Sequence, residues 1–209
     1  MPHLTSRFDE DFEALTAAAD LDTQGSWAKI AGSGTTDIFV IASTSLFGAQ
    51  CLALTNSAAG DNAVYEKSIG VTRGTEAWRV TFALRVNAAA TTNQSIWFGL
   101  SAGAGNITFG ASGNTAVQVG IQDNGTTIDI EVVDAAGATT LSAAGTLGNK
   151  IVFALDIFAN HNFNLMMDAD GDGEGWIGVH SGTLRTGNTA ISRAHIGVEQ
   201  GTSPNSSLL

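Results

Sequence analysis

The 209-residue chain sets 20 acidic against 9 basic side chains, a formal net charge of −11, and only 14% of its residues are charged while 44% are hydrophobic. An anionic surface repels a phosphate backbone, so this charge balance argues against nucleic-acid binding, and it disfavours anionic membranes for the same reason. The 25 glycines and the sparse charge suit short strands and many turns, in one large all-β domain or two small ones.

The N-terminal stretch "MPHLTSRFDEDFEAL" has no apolar h-region and carries acids early. It reads as neither a signal peptide nor a membrane anchor. No run approaches the roughly 18 apolar residues of a spanning helix. The chain is therefore expected to be made in the cytoplasm, or to reach the outside by a route not written as a signal. Residues 1–7 read as an arm. Phe8, Phe12 and Leu15 have helical spacing, and "ALTAAAD" has good helix propensity, so a short helix is expected there. Cys51, the single cysteine, cannot form an intramolecular disulfide and reads as a small buried hydrophobe on a strand.

From there the period is two. Strands are expected at 37–42, 50–55 and 63–69. "AWRVTFALRVN" sets Trp78, Val80, Phe82, Leu84 and Val86 on one face, with Arg79, Thr81 and Arg85 on the other, as in a half-buried antiparallel strand. Further strands follow at 94–101 and 116–122, and "DNGTT" at 123–127 is a hairpin signal because Asn and Gly accept positive φ cheaply. "TTIDIEVVD" puts Ile128, Ile130 and Val132 inside and Asp129 and Glu131 outside. "KIVFALDIF" aligns Ile151, Phe153, Leu155 and Ile157, though Val152 and Phe158 fall on its other face. "FANHNF" is a second tight connection, leading into Phe163, Leu165 and Met167; the last strands lie at 176–180 and 195–200. Ten or more short strands without an intervening helix predict an antiparallel β-sandwich or jelly roll. It would span residues 8–200 as a single domain, with 201–209 as a C-terminal tail.

Four stretches carry a family resemblance: "DEDFEALTAAADLDTQGSW" (9–27), "AWRVTFALRVNA", "KIVFALDIFANHNFNLMMDADGDG" and "SRAHIGVEQG". In pattern and order they resemble the opening strand, central strand, hairpin and closing strand of concanavalin A-like, laminin-G-like jelly-roll domains of phage and bacterial surface proteins. The resemblance covers most of residues 8–200 and implies the fold. It allows three roles: a sugar-binding module, a glycan-cleaving enzyme, or a surface part of a virus particle.

The enzyme reading fares worst. Glycoside hydrolysis needs two carboxylates flanking one bond. In "DIEVVD", Asp129 and Glu131 share a face, but Asp134 points the other way. "GLSAG" formally matches a nucleophile elbow at Ser101, and Asp156 and His180 or His195 follow in the order a hydrolase would need. The elbow requires a helix next, and "AGNITFGASGN" is too rich in glycine to supply one. Ser101 therefore reads as a chance match, and the chain as non-enzymatic. His3, His161, His180 and His195 show no metal-ligand spacing, and His161 reads as solvated in its turn. Among Trp27, Trp78, Trp97 and Trp176, Trp97 lies opposite Ile96 and Phe98. It is the expected exposed platform for a sugar ring.

"MMDADGDGEGW" (166–176) places Asp168, Asp170 and Asp172 at positions 1, 3 and 5, and Gly173 at position 6, as a Ca²⁺ loop begins. Position 12 is Val179 rather than a bidentate Glu, so this is no EF-hand. Two readings stay open: an acidic turn without metal, and a looser structural Ca²⁺ site using Asp168, Asp170, Asp172 and Glu174. The leading expectation for the whole chain is a structural or interaction protein. It would sit on the surface of a phage-like virion as a capsid decoration protein, with capsid partners or further copies of itself. The alternative is a carbohydrate-binding module for a surface polysaccharide, assisted by calcium.

Overall fold

The computed structural model describes residues 12, 14–16, 20–22, 24–32, 37–41, 51–55, 62–86, 94–105, 107–111, 114–125, 127–146, 148–200 and 206–208. They form strands β1 (Ala28–Gly32), β2 (Asp37–Ile41), β3 (Cys51–Thr55), β4 (Asn62–Ser68), β5 (Trp78–Val86), β6 (Gln94–Ser101) and β7 (Val117–Asp123). Then follow β8 (Thr127–Asp134), β9 (Gly137–Thr146), β10 (Ile151–Ile157), β11 (Asn162–Asp168), β12 (Ile177–Thr183), β13 (Arg193–Gln200) and β14 (Ser206–Leu208). No described residue is helical.

The strands build two seven-stranded antiparallel sheets. One runs β1-β4-β13-β6-β7-β8-β9 and the other β12-β11-β10-β5-β14-β3-β2. This is the expected sandwich. The alternation read from the sequence is the alternation across it: Ile128, Ile130 and Val132 are wholly buried, as are Ile151, Phe153 and Leu155. Burying each such side chain contributes about 1.5–3 kcal/mol. The two sheets meet at Phe82 of β5, which stacks on Phe98 of β6 at 4.2 Å and on its cross-strand neighbour Phe153 at 5.3 Å. Arg79, on the outer face of β5, forms a two-toothed pair with Asp156 at 2.6 and 2.7 Å. Asp156 is thereby committed to the outer surface of this second sheet.

The N-terminal region differs from expectation. Phe12 has φ 60° and its carbonyl accepts from Leu15 N at 3.1 Å, so the described residues 12 and 14–16 make a turn rather than a helix. Packing explains it: Phe12 and Leu15 lie against the core, and Phe12 sits 6.3 Å from buried Trp27. Phe8 and residues 17–19 lie outside the described residues. The C-terminal segment supplies β14, which pairs with β3 and β5.

Arg73 joins three loops. It is fully buried and donates to the carbonyls of Gly74, Phe158 and Thr189, and it lies 3.0 Å from His161 Nδ1. Burial holds its guanidinium below its ordinary pKa, against the opposing charge of Glu76. His161, at φ 67° in the β10–β11 turn, is thus not merely solvated: it is a partner in this knot. Arg73→Met leaves several buried acceptors unpaired. It should lower unfolding free energy by about 2–3 kcal/mol, read from urea melts.

Candidate functional site

Asp168 ends β11 and is 1% exposed. Its carboxylate accepts Gly171 N at 2.9 Å on Oδ1 and Gly173 N at 2.8 Å on Oδ2. Asp172 Oδ1 accepts Glu174 N at 2.7 Å. The alternating glycines let the chain wrap so tightly: Gly171 and Gly173 have φ 68° and 92°, a region costly for any residue with a Cβ. The wrap brings carboxylate oxygens of Asp168, Asp170 and Asp172 within 4.8 Å of one another. Glu174, expected as a fourth ligand, does not join this group; it is exposed and meets the loop through its backbone. Burial pushes the Asp168 carboxyl upward, but hydrogen bonds from Gly173, Asp170 and Gly171 outweigh it and hold the group below the usual range. Asp170 is raised, first by sharing a hydrogen bond with Asp168 and then by the Asp172 charge. A hard cation with oxygen ligands relieves such crowding, and the all-carboxylate donor set suits Ca²⁺ chemistry.

The loop also fixes an aromatic ring. Trp176 is 39% exposed, and its Nε1 donates to the Gly173 carbonyl at 3.1 Å. Ile177 beside it is 52% exposed. An exposed aromatic face held by its own N–H beside polar groups is suited to contact a ligand or partner. The sequence signal for it was adjacency: the tryptophan follows the acidic loop directly.

Trp97, expected to be exposed, is not. It does point away from the main core, opposite Ile96 and Phe98, but it is only 2% exposed. Residues 107–111 fold back over the outer face of the first sheet and form a second small core of Val64, Trp97, Ile107, Phe109 and Val133. The rings of Trp97 and Phe109 stack at 5.6 Å, 10° from parallel. Gly120 and Gly197 make room beneath. A Cβ at Gly120 would lie 2.5 Å from the Trp97 ring, and one at Gly197 would lie 2.5 Å from the Ala63 carbonyl.

Farther along the same face, β4, β13 and β6 bring together residues distant in sequence. His195 lies opposite Glu66 on one side and Gly99 on the other. The imidazole Nε2 lies 2.7 Å from Ser101 Oγ, two residues along β6 from Gly99. Its Nδ1 lies 3.8 Å from Glu66 Oε2, while Arg193 donates to Glu66 Oε1 at 2.9 Å. Asp156 and His180, the other partners suggested for Ser101, sit elsewhere. His180 pairs at 3.2 Å with Asp134, which faces away from Asp129 and Glu131. Asp129 caps the β7–β8 hairpin by accepting from Asn124 at 2.9 Å. No glycosidase-like carboxylate pair arises from these three acids.

No family model and no curated relative matches the chain. Solved structures do. A carbohydrate esterase of the Shiga toxin-encoding bacteriophage phi24B is similar at TM-score 0.56 and 16% identity, over 87% of this chain and 86% of its own. The legume lectin-like domain from Entamoeba histolytica is similar at TM-score 0.54 and 10% identity, over 86% and 85%. The exoplasmic/lumenal domain of VIP36, in a Ca²⁺- and Man2-bound form, is similar at TM-score 0.55 and 12% identity, over 88% and 78%. The fold is a legume lectin-like, concanavalin A-like jelly roll.

Proposed function

We propose that this protein is a lectin-like interaction module that binds carbohydrate through the end of the sandwich formed by residues 168–177. The observation that carries the reading is Trp176: an exposed ring, hydrogen-bonded into an acidic turn whose three carboxylates converge. The ring supplies a stacking face, and Asp170 and Asp172 supply acceptors for hydroxyls. Asp168, Asp170 and Asp172 would hold Ca²⁺. The ion neutralises the crowded carboxylates and stiffens the turn that carries Trp176. The likeness to a Ca²⁺- and Man2-bound domain supports this reading.

The test is a glycan array probed with purified protein in Ca²⁺ and again in EDTA. Specific binding should appear in Ca²⁺ and fall in EDTA. Trp176→Ala should weaken it roughly tenfold, the worth of one aromatic contact, with the melting temperature unchanged. Binding that survives both treatments would place the sugar site elsewhere.

A second reading concerns where the module works: on the surface of a phage-like particle, as a decoration protein contacting capsid subunits. The match to a phage-encoded chain over most of both lengths supports it. Co-sedimentation with purified virions checks it, and a protein found only in the supernatant would rule that placement out.

A further inference from the structure

The line Glu66, His195, Ser101 has no place in sugar binding by the 168–177 turn. All three are buried, with Ser101 and His195 at 0% exposure and Glu66 at 6%. Their arrangement is not the product of one local motif. Three neighbouring strands place them on one face, with the imidazole within hydrogen-bond reach of the hydroxyl.

Two tautomers fit the hydrogen bonds differently. If Nε2 carries the proton, it donates to Ser101 Oγ and Ser101 donates to the Gly103 carbonyl at 2.8 Å. The Nδ1 lone pair then faces the Glu66 carboxylate, which is repulsive. If Nδ1 carries the proton, its N–H points at Glu66 Oε2, and Ser101 donates to Nε2. His195 Nδ1 and Glu66 Oε2 are both buried, and neither has a hydrogen-bond partner among the described residues. They face each other at 3.8 Å. A carboxylate opposite Nδ1 favours the second tautomer, in which the imidazole is oriented as a base toward the hydroxyl. Such contacts are commonly long before a substrate arrives.

We propose that Ser101, His195 and Glu66 form a nucleophile, base and positioning group for hydrolysis of small acyl esters. Ser101 Oγ attacks the ester carbonyl and its proton passes to His195 Nε2. The carbonyl–alkoxy bond breaks and the alcohol leaves with that proton. Water then attacks the acyl-serine, gives a proton to His195, and the serine recovers it as the acid departs. The net reaction is ester plus water to acid plus alcohol. Glu66, held by Arg193, keeps the imidazole in the productive tautomer. The acyl group must be small, because Phe109 and Gln118 stand within 3.5 and 3.7 Å of a Cβ at Gly99.

Access depends on a thin cover. Ser192 Oγ tethers the Ala102 carbonyl at 2.8 Å. Beyond that point Gly103 and Ala104 are exposed, and a Cβ on Gly103 would meet nothing within 4 Å. Gly105, at the far end of the segment, has φ 154°, a value that favours glycine. Substrate entry in this proposal requires this short segment, to which Ser101 Oγ is bonded through the Gly103 carbonyl, to lift.

The experiment uses the full chain with p-nitrophenyl acetate as ester and a fluorophosphonate as covalent probe. The expected result is turnover above the buffer rate, and a mass adduct on the peptide containing Ser101. Ser101→Ala should remove both. Glu66→Gln should lower kcat by about a hundredfold with KM nearly unchanged, the size of a general-base contribution; a merely structural role would not split the two constants this way. Nitrogen NMR of His195 in the wild-type protein should show the proton on Nδ1, which keeps the test valid if a variant fails to fold. A folded protein with no adduct and no turnover, turnover retained in Ser101→Ala, or a proton on Nε2 would each overturn the assignment. This inference stands apart from the sugar-binding turn, and Trp176→Ala should leave ester turnover intact.

Discussion

Trp97→Ala should lower the free energy of unfolding by about 3–5 kcal/mol, the range for removing a large buried aromatic. The ring is 2% exposed, lies flat over Gly120, stacks on Phe109, and donates through Nε1 to Ser95 Oγ at 2.9 Å. Its loss removes the surface on which residues 107–111 close and leaves a void that Gly120 has no side chain to fill. The loop above it should also loosen, so amide exchange there should rise more than in β10 or β13. Chemical denaturation of wild type and variant measures the effect. A change below about 1 kcal/mol, typical of surface substitutions, would mean that the second small core contributes little. The contrast with Trp176→Ala is informative. That substitution should leave stability alone and change binding, so two tryptophans of one chain separate folding from recognition.

The second large effect is acid destabilisation through His195. Burial, and then the Arg193 charge, push its pKa down to about 4 from the ordinary 6.5. The groups facing it are Ser101, Glu66 and Arg193. Because the folded value is the lower one, the unfolded chain binds the proton first as pH falls. The contribution is therefore fully present above pH 6.5 and declines between 6.5 and about 4. Across that window the loss approaches about 3 kcal/mol, at 1.36 kcal/mol per unit. Urea melts at pH 7.5 and pH 4 should differ by this much more in wild type than in His195→Gln, which cannot take up the proton. Equal differences in the two proteins would show that His195 is not the sensor.

The main strands were legible because a half-buried strand must alternate. Trp78 to Val86, Thr127 to Asp134 and Ile151 to Ile157 announce themselves through period-two apolar residues, and each lies in the sandwich within a residue or two of its expected bounds. The hairpin at 123–127 was equally local: Gly125 takes φ 100° and its N–H is held by Asp123 at 2.6 Å. Three strands escaped detection. β9, "GATTLSAAGT", is an edge strand in which Leu141 and Ala144 pack against the core while Ala138, Thr139, Thr140 and Ser142 are exposed, too little apolar alternation to read. β1 is another short edge, and β14 is a three-residue insertion between β3 and β5.

The site followed the same division. The acidic loop lies within one stretch of sequence, so its convergence on Asp168 could be read from the spacing of aspartates and glycines. Trp97 was assigned to the correct face but the wrong environment. Alternation decides which side of a sheet a residue occupies, yet only the path of a loop ten residues away decides whether water reaches it. Ser101 and His195 were visible in the sequence only as a formal motif match, and Glu66 was not singled out at all. Their meeting depends on β13 pairing with both β4 and β6, a register set by contacts between segments up to 129 residues apart, Glu66 to His195. The sequence alone determined the strand periodicity, the turns and the acidic loop, because these arise from steric and hydration preferences over a few neighbouring residues. The tertiary structure alone decided what is covered and what is juxtaposed, because those depend on how distant strands pair and how a loop packs over their outer face.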